Sequence, residues 1–221
     1  MTPRAVAPAL TTLGDSAILV TLGDSVARDV NRRVHACAAA MRETRVPGVL
    51  DVVPAYASLA VHYDPSAATA DEMIATVRAI LSRALADEPV SAESRLVTIP
   101  VRYDGPDLQP VADATGLSVE DVIARHSSVE YAVYMMGFAP GFAYLGELDP
   151  ALHLPRRDTP RTRVPRGSVA IAGAQTAVYP LETPGGWHIL GSTGLPLFDA
   201  RRDPPALLRA GDRVRFERVT P

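Results

Sequence analysis

The residue types best suited to hold a small molecule are concentrated in residues 137–188. Pro155 to Gly167 packs five arginines and three prolines into thirteen residues, with Asp158 the one acid among them. Proline lowers the entropy lost when a loop is fixed, and a guanidinium presents a planar fork of donors that matches a carboxylate or phosphate. Arg156, Arg161 and Arg166 are therefore candidate anion ligands; a solvated loop, or one facing a partner's acidic surface, has the same composition. Gly137-Phe138-Ala139-Pro140-Gly141-Phe142 sets two aromatics around a proline-glycine turn. Gly141 admits positive φ and Phe142 can wall an apolar pocket, although a tight barrel corner with core aromatics reads the same way.

Farther on, Gln175 and Thr176 offer neutral donors and acceptors suited to an amide or lactam, and Gly185-Gly186 beside Trp187 permits close backbone approach. His188 is either a general acid or base or a packed strand histidine. His126 and Glu130 lie close enough in sequence to be a proton-transfer pair; alternatively His126 satisfies carbonyls at a helix end. The lone cysteine, Cys37, sits among alanines at helical spacing and reads as a small buried residue.

Composition narrows the chemistry further. All 22 basic residues are arginine, so a phosphate-loop lysine, a Schiff-base lysine and a lysine general base are excluded. There is no Gly-x-x-x-x-Gly-Lys loop, no Gly-x-Ser-x-Gly elbow and no His-x-x-x-His pair. A net charge of −3 gives no reason to expect nucleic acid or an anionic membrane as partner. No apolar run approaches the ~20 residues of a membrane span, and residues 1–8 carry no signal-like core. A cytoplasmic location is the expectation. These residues describe a binding surface more readily than a complete active site.

The elements that must position them divide in two. Ala17 to Val20 reads as a strand, and Asp24 or Ser25 as the cap of a helix with Val26, Val30, Val34, Cys37 and Met41 on its apolar stripe. Val49 to Val53 and Ser58 to Tyr63 follow as strands. Thr69 and Glu72 form a capping box ahead of a second helix bearing Met73, Val77, Ile80, Leu81 and Leu85. This order suits both helices on one face of an antiparallel sheet. The polar stretch Ala86 to Ser94 marks a boundary, giving domains 1–90 and 91–221. Beyond it come a strand at Leu96 to Tyr103, a helix from Val119 to His126 capped by Ser118, a strand at Tyr131 to Met136, and short β-prone runs between glycines and prolines. That texture predicts a β-barrel or sandwich.

Taken together, Tyr134-Met135-Met136-Gly137-Phe138-Ala139-Pro140-Gly141-Phe142-Ala143-Tyr144-Leu145-Gly146, Pro155-Arg156-Arg157, Val164-Pro165-Arg166-Gly167-Ser168-Val169, Gln175-Thr176, Pro184-Gly185-Gly186-Trp187 and Gly211-Asp212-Arg213-Val214-Arg215-Phe216 resemble the 5-oxoprolinase B-subunit family, also called KipI-like or allophanate hydrolase subunit 1. The resemblance spans essentially the whole chain and implies an α+β protein: a small ferredoxin-like α/β N-terminal domain followed by a cyclophilin-like β-barrel. It further implies a C-subunit partner of related barrel fold (KipA-like, or allophanate hydrolase subunit 2), a lactam-opening A-subunit, and cleavage of 5-oxoproline to glutamate at the expense of ATP, with magnesium as the nucleotide's counter-ion. On that reading the B- and C-subunits phosphorylate the lactam oxygen. Arg156, Arg161 and Arg166 bind anions, Gln175 and Thr176 hold the amide, Gly141, Phe142, Gly185, Gly186 and Trp187 wall the pocket, and His126 with Glu130 moves protons. The family also contains an inhibitor of a sensor histidine kinase and resembles carboxyltransferase modules of urea carboxylase; both remain alternatives. Gly146-Glu147, Gly173-Ala174 and Ser192 depart from the pattern common in relatives.

Overall fold

The computed structural model describes residues 8–86 and 94–220. The chain forms two compact units, Met1–Glu93 and Ser94–Pro221. The boundary expected between residues 90 and 91 lies outside the described residues.

In the first unit, β1 (Ala9–Thr12), β2 (Ala17–Thr21), β3 (Val49–Pro54) and β4 (Ser58–Tyr63) make a four-stranded antiparallel sheet in the order β1-β2-β4-β3. Helices α1 (Arg28–Thr44) and α2 (Ala70–Ala86) cover one of its faces. Period-two alternation puts Ile18, Val20, Leu59, Val61 and Tyr63 on the covered face, against Val34, Cys37 and Met41 of α1 and Met73, Val77 and Leu81 of α2. From β2 onward the connectivity is that of a ferredoxin-like unit. The strand that would follow α2 is supplied instead by β1, hairpinned onto β2 from the N-terminal side. Thr69 and Glu72 form the expected capping box. The start of α1 differs from expectation: neither Asp24 nor Ser25 caps it, the N-cap is Ala27, and Val26 stands outside the helix, 58% exposed. The buried stripe therefore begins one turn later, at Val30. Burial pushes the Cys37 thiol up to about 11, only partly offset by Arg33, so it is an inert core group.

The second unit is built on a seven-stranded sheet. Its strands are β5 (Leu96–Val101), β6 (Glu130–Met136), β7 (Ala143–Gly146), β9 (Ser168–Ala172), β10 (Gln175–Val178), β12 (His188–Ser192) and β13 (Arg213–Arg218), in the order β12-β9-β10-β7-β6-β13-β5. The two edges meet: Arg102 and Ser192 exchange both backbone hydrogen bonds, at 2.9 and 2.8 Å, which nearly closes the sheet into a barrel. This is the cyclophilin-like barrel. Helices α3 (Leu108–Thr115) and α4 (Val119–Ser127) add Leu108, Val111, Val122 and Ile123 to the barrel core. Ser118 caps α4 in a full capping box with Asp121. A small two-stranded antiparallel sheet of β8 (Arg161–Val164) and β11 (Thr183–Gly185), strands separated in the chain by β9 and β10, completes the unit.

Burial along β9 is unbroken, because both sides of the sheet are covered there. Val169 and Ile171 point into the barrel with Val178, Leu190, Leu145 and Phe216. Ala170 and Ala172 point the other way and join Ala177, Phe142, Tyr179, Trp187, Ile189 and Val164 in a separate outer cluster. Alternation thus gives one sheet two chemically distinct faces.

Candidate functional site

The outer face has a floor of small residues and a wall of large ones. Ala170, Ala172 and Ala177 are small enough for the ring of Phe142 to pack in the same buried cluster. Its ring meets Tyr144, Phe138, Tyr179 and Trp187 edge-on at 5.0, 5.2, 5.4 and 5.9 Å. Such T-shaped contacts place the positive edge of one ring on the negative face of the next and fix the rings' orientation. Gly185 is where it must be: a Cβ there would sit 2.3 Å from the Tyr179 hydroxyl, so any side chain would displace the tyrosine. Phe138 is the exception to burial. It holds a left-handed φ of 67° and is 62% exposed. A bulky side chain in that region is strained, and such strain persists where the surroundings over-determine it.

The arginine loop lies along this wall. The Arg157 amide donates to Gly186 O at 2.8 Å, and the His188 imidazole meets Pro155 O at 2.8 Å, so the loop runs beside Trp187. Burial pushes the Tyr179 phenol up; the Trp187 amide and the positive charges of Arg156 and Arg161 oppose that, which places both arginines within electrostatic reach of its oxygen. Arg156 is exposed. Arg161 and Arg157 both donate to Asp107 Oδ1 at 2.8 Å, while the Ile189 amide donates to Oδ2 at 2.7 Å. Burial would raise the Asp107 carboxyl, but these hydrogen bonds and charges outweigh it and hold the group below the usual carboxylate range. Arg166 lies in the turn that follows β8, at the end of that strand away from Arg161, and is not one of the arginines that bind Asp107.

The inner face has different chemistry. His126 is fully buried, and burial pushes its imidazole down to about 3, so it is neutral. Nδ1 lies 2.7 Å from the Tyr103 hydroxyl and Nε2 lies 2.8 Å from Thr176 Oγ1. Thr176 gives its own proton to Ala170 O at 3.0 Å. The network therefore assigns the tautomer: Nε2–H donates to Thr176, and Nδ1 accepts from Tyr103. His126 stacks on Phe216 at 4.6 Å, and the Tyr131 hydroxyl donates to its carbonyl at 2.8 Å. Every polar atom in this chain of bonds is satisfied.

The expected site residues thus divide between the two faces. Gly141, Phe142, Gly185, Gly186, Trp187, Arg156 and Arg161 gather at the outer wall, and Gln175 shares the outward parity of Ala177 and Tyr179. Thr176 does not meet a ligand, because it faces the barrel interior with its hydroxyl fully bonded. His126 and Glu130 do not pair. Glu130 instead binds Arg213 at 2.6 Å and also Arg215, whose hydrogen bond is the largest influence holding its carboxyl low. Sequence reasoning overlooked Asp107, Arg157, Tyr144 and Tyr179 as site residues. The Gly105-Pro106-Asp107 turn signals a helix start, but nothing in the spacing connects Asp107 to arginines fifty residues away. Among the described residues, no group of His, Cys, Asp and Glu side chains is arranged to hold a metal ion, and no helix is long and apolar enough to cross a membrane.

Comparison with known proteins agrees with this architecture. The family model for the carboxyltransferase domain, subdomain C and D, matches residues 8–208. The chain is 43% identical to the 5-oxoprolinase B-subunit of Bacillus subtilis (strain 168), over 94% of this chain and 91% of that protein. It is 44% identical to the 5-oxoprolinase B-subunit of Escherichia coli O157:H7, over 92% and 93% respectively. The crystal structure of TTHA0988 superimposes with a TM-score of 0.83 at 43% identity, covering 93% of this chain but 40% of that one.

Proposed function

The chain belongs to the 5-oxoprolinase B-subunit family, and on that basis we propose that it is the B-subunit of an ATP-dependent 5-oxoprolinase, inactive without its partners. In this reading the outer face holds the anionic lactam, a C-subunit of related fold completes the activating site, and an A-subunit opens the ring. The cytoplasm is the compartment in which such a chain would work.

The observation that carries the reading is that the loop bearing Arg156 and Arg161 runs beside Trp187, through the Arg157 amide on Gly186 O, and brings both positive charges within electrostatic reach of the Tyr179 oxygen. A 5-oxoproline molecule carries one carboxylate, a flat amide and an apolar ring edge. A guanidinium suits the first, Gln175 the second, and the aromatic wall the third. ATP would supply a phosphoryl group to the lactam oxygen, which opens the carbonyl carbon to water; the ring C–N bond then breaks with the nitrogen leaving as the amine, and phosphate is released. The guanidiniums on this face suit the phosphates of the nucleotide, while its magnesium would travel with it. The side chains here bind and orient, and aromatic packing excludes water around the activated carbon. Neutral His126, sealed in the core, takes no part in proton transfer to a ligand.

A carboxyltransferase role is the second reading, favoured by the description of the family model. With no lysine among these 221 residues, any biotin would be attached outside them. The test is ATP hydrolysis by this protein co-expressed with its candidate partner subunits, with and without 5-oxoproline. Turnover that needs both 5-oxoproline and this chain supports the oxoprolinase reading. A stable complex whose turnover ignores 5-oxoproline contradicts it.

A further inference from the structure

Asp107 occupies the N-cap position of α3, where an aspartate ordinarily accepts from its own helix's free amides, yet its side chain makes no capping bond. The carboxylate is diverted. With its side chain 3% exposed, it takes Arg157 and Arg161 on one oxygen and the Ile189 amide of β12 on the other. Two guanidiniums against one carboxylate leave a surplus positive charge. Arg157 Nε and Arg161 Nη1 are buried without a protein partner, so Asp107 does not satisfy every donor of the cluster, while the two side chains stay 33% and 24% exposed. The arrangement is more cationic than a structural tie requires.

We propose that Asp107 is a positioning residue for the outer-face site: it fixes Arg157 and Arg161 so that the surplus charge meets the carboxylate of a small lactam acid lying against Tyr179 and Trp187. This rests on the oxoprolinase reading. Asp107 is too buried to touch a ligand and acts through the arginines. Charge-assisted bonds to a buried acceptor hold both forks in one orientation. The Arg157 amide, bonded to Gly186 O, transmits that orientation to the segment leading into Trp187. Without the carboxylate, two like charges would repel and the loop would lose its tie to β12.

The experiment measures 5-oxoproline-dependent ATP turnover by the reconstituted complex for wild type, Asp107→Asn, Arg161→Gln and the double variant. Asp107→Asn is expected to raise KM for 5-oxoproline about tenfold while kcat stays within threefold, and Asp107→Glu to fall between Asp107→Asn and wild type. Because Asp107 acts through Arg157 and Arg161, the double variant should fall well short of the product of the two single effects. A KM within twofold of wild type for Asp107→Asn, or effects that multiply in the double variant, would overturn the proposal. Should Asp107→Asn fail to assemble, Arg161→Lys keeps the charge and loses the fork; an unchanged KM there overturns the proposal equally. Absence of 5-oxoproline-dependent turnover in the wild-type complex instead overturns the functional reading on which the proposal rests.

Discussion

The two faces of the β9–β10 sheet are a few ångströms apart and solve opposite problems. Inside the barrel, Tyr103, His126, Thr176 and the Ala170 carbonyl form a closed chain in which each proton has an assigned acceptor. On the outside, alanines lower the floor, rings stand edge to face, Phe138 is held strained and exposed, and the arginine charge exceeds the acid that anchors it. A buried polar network is stable when every member is paired, whereas a binding surface must keep some donors available for its ligand. The inner face is built as structure, and the proposed reading puts ligand binding on the outer one. It also explains why a histidine, usually the first suspect in catalysis, is the wrong one here.

The largest expected effect falls on the inner face. His126→Ala leaves a cavity and strands Tyr103 and Thr176, and should cost about 3–5 kcal/mol in urea unfolding. Loss of activity without loss of stability would put His126 back among the ligand-binding groups. Next is the pH dependence. The native imidazole is held near 3, against 6.5 for the free group, so between those values the unfolded chain binds a proton that the native state refuses. This group's share of stability therefore falls as pH drops from about 6.5 towards 3, by roughly 3–5 kcal/mol in all. In His126→Phe that slope should disappear from acid unfolding curves; an unchanged slope would mean the imidazole is not sealed.

The outer face should respond in ligand affinity rather than in stability. Arg156→Ala removes an exposed charge and should leave stability within about 0.5 kcal/mol of wild type while raising KM for 5-oxoproline about tenfold. If stability falls and KM holds, the division between the faces fails. The smallest effect belongs to Phe138. Phe138→Asn relieves left-handed strain while losing edge contacts, so thermal unfolding should shift by less than about 1 kcal/mol. A large destabilisation would show that Phe138 is a core residue.

Much of this was legible in the sequence, for identifiable reasons. Periodicity located α1, α2 and most strands, because their apolar spacing is regular. The helix α3 was missed: it is eight residues long and carries Pro110 in its first turn. The strand β1 was missed because its four residues are mostly exposed and show no alternation. The aromatic and arginine motifs of the outer face stood out as unusual runs. Thr176 was misplaced because adjacent strand residues face opposite sides, so Gln175 and Thr176 cannot share one surface. Asp107 was invisible, since its partners come from residues 157, 161 and 189, which only the closed barrel brings together.

The most direct test uses the chain's single tryptophan. Trp187 lies in the outer wall, so 5-fluorotryptophan incorporated into this protein, then mixed with unlabelled partners, gives one fluorine resonance reporting that face alone. Saturating 5-oxoproline should shift the resonance in the wild-type complex, and the same concentration should leave it nearly unmoved in Arg156→Ala. An unmoved resonance in a wild-type complex that is turning over 5-oxoproline would place the ligand elsewhere and contradict the account.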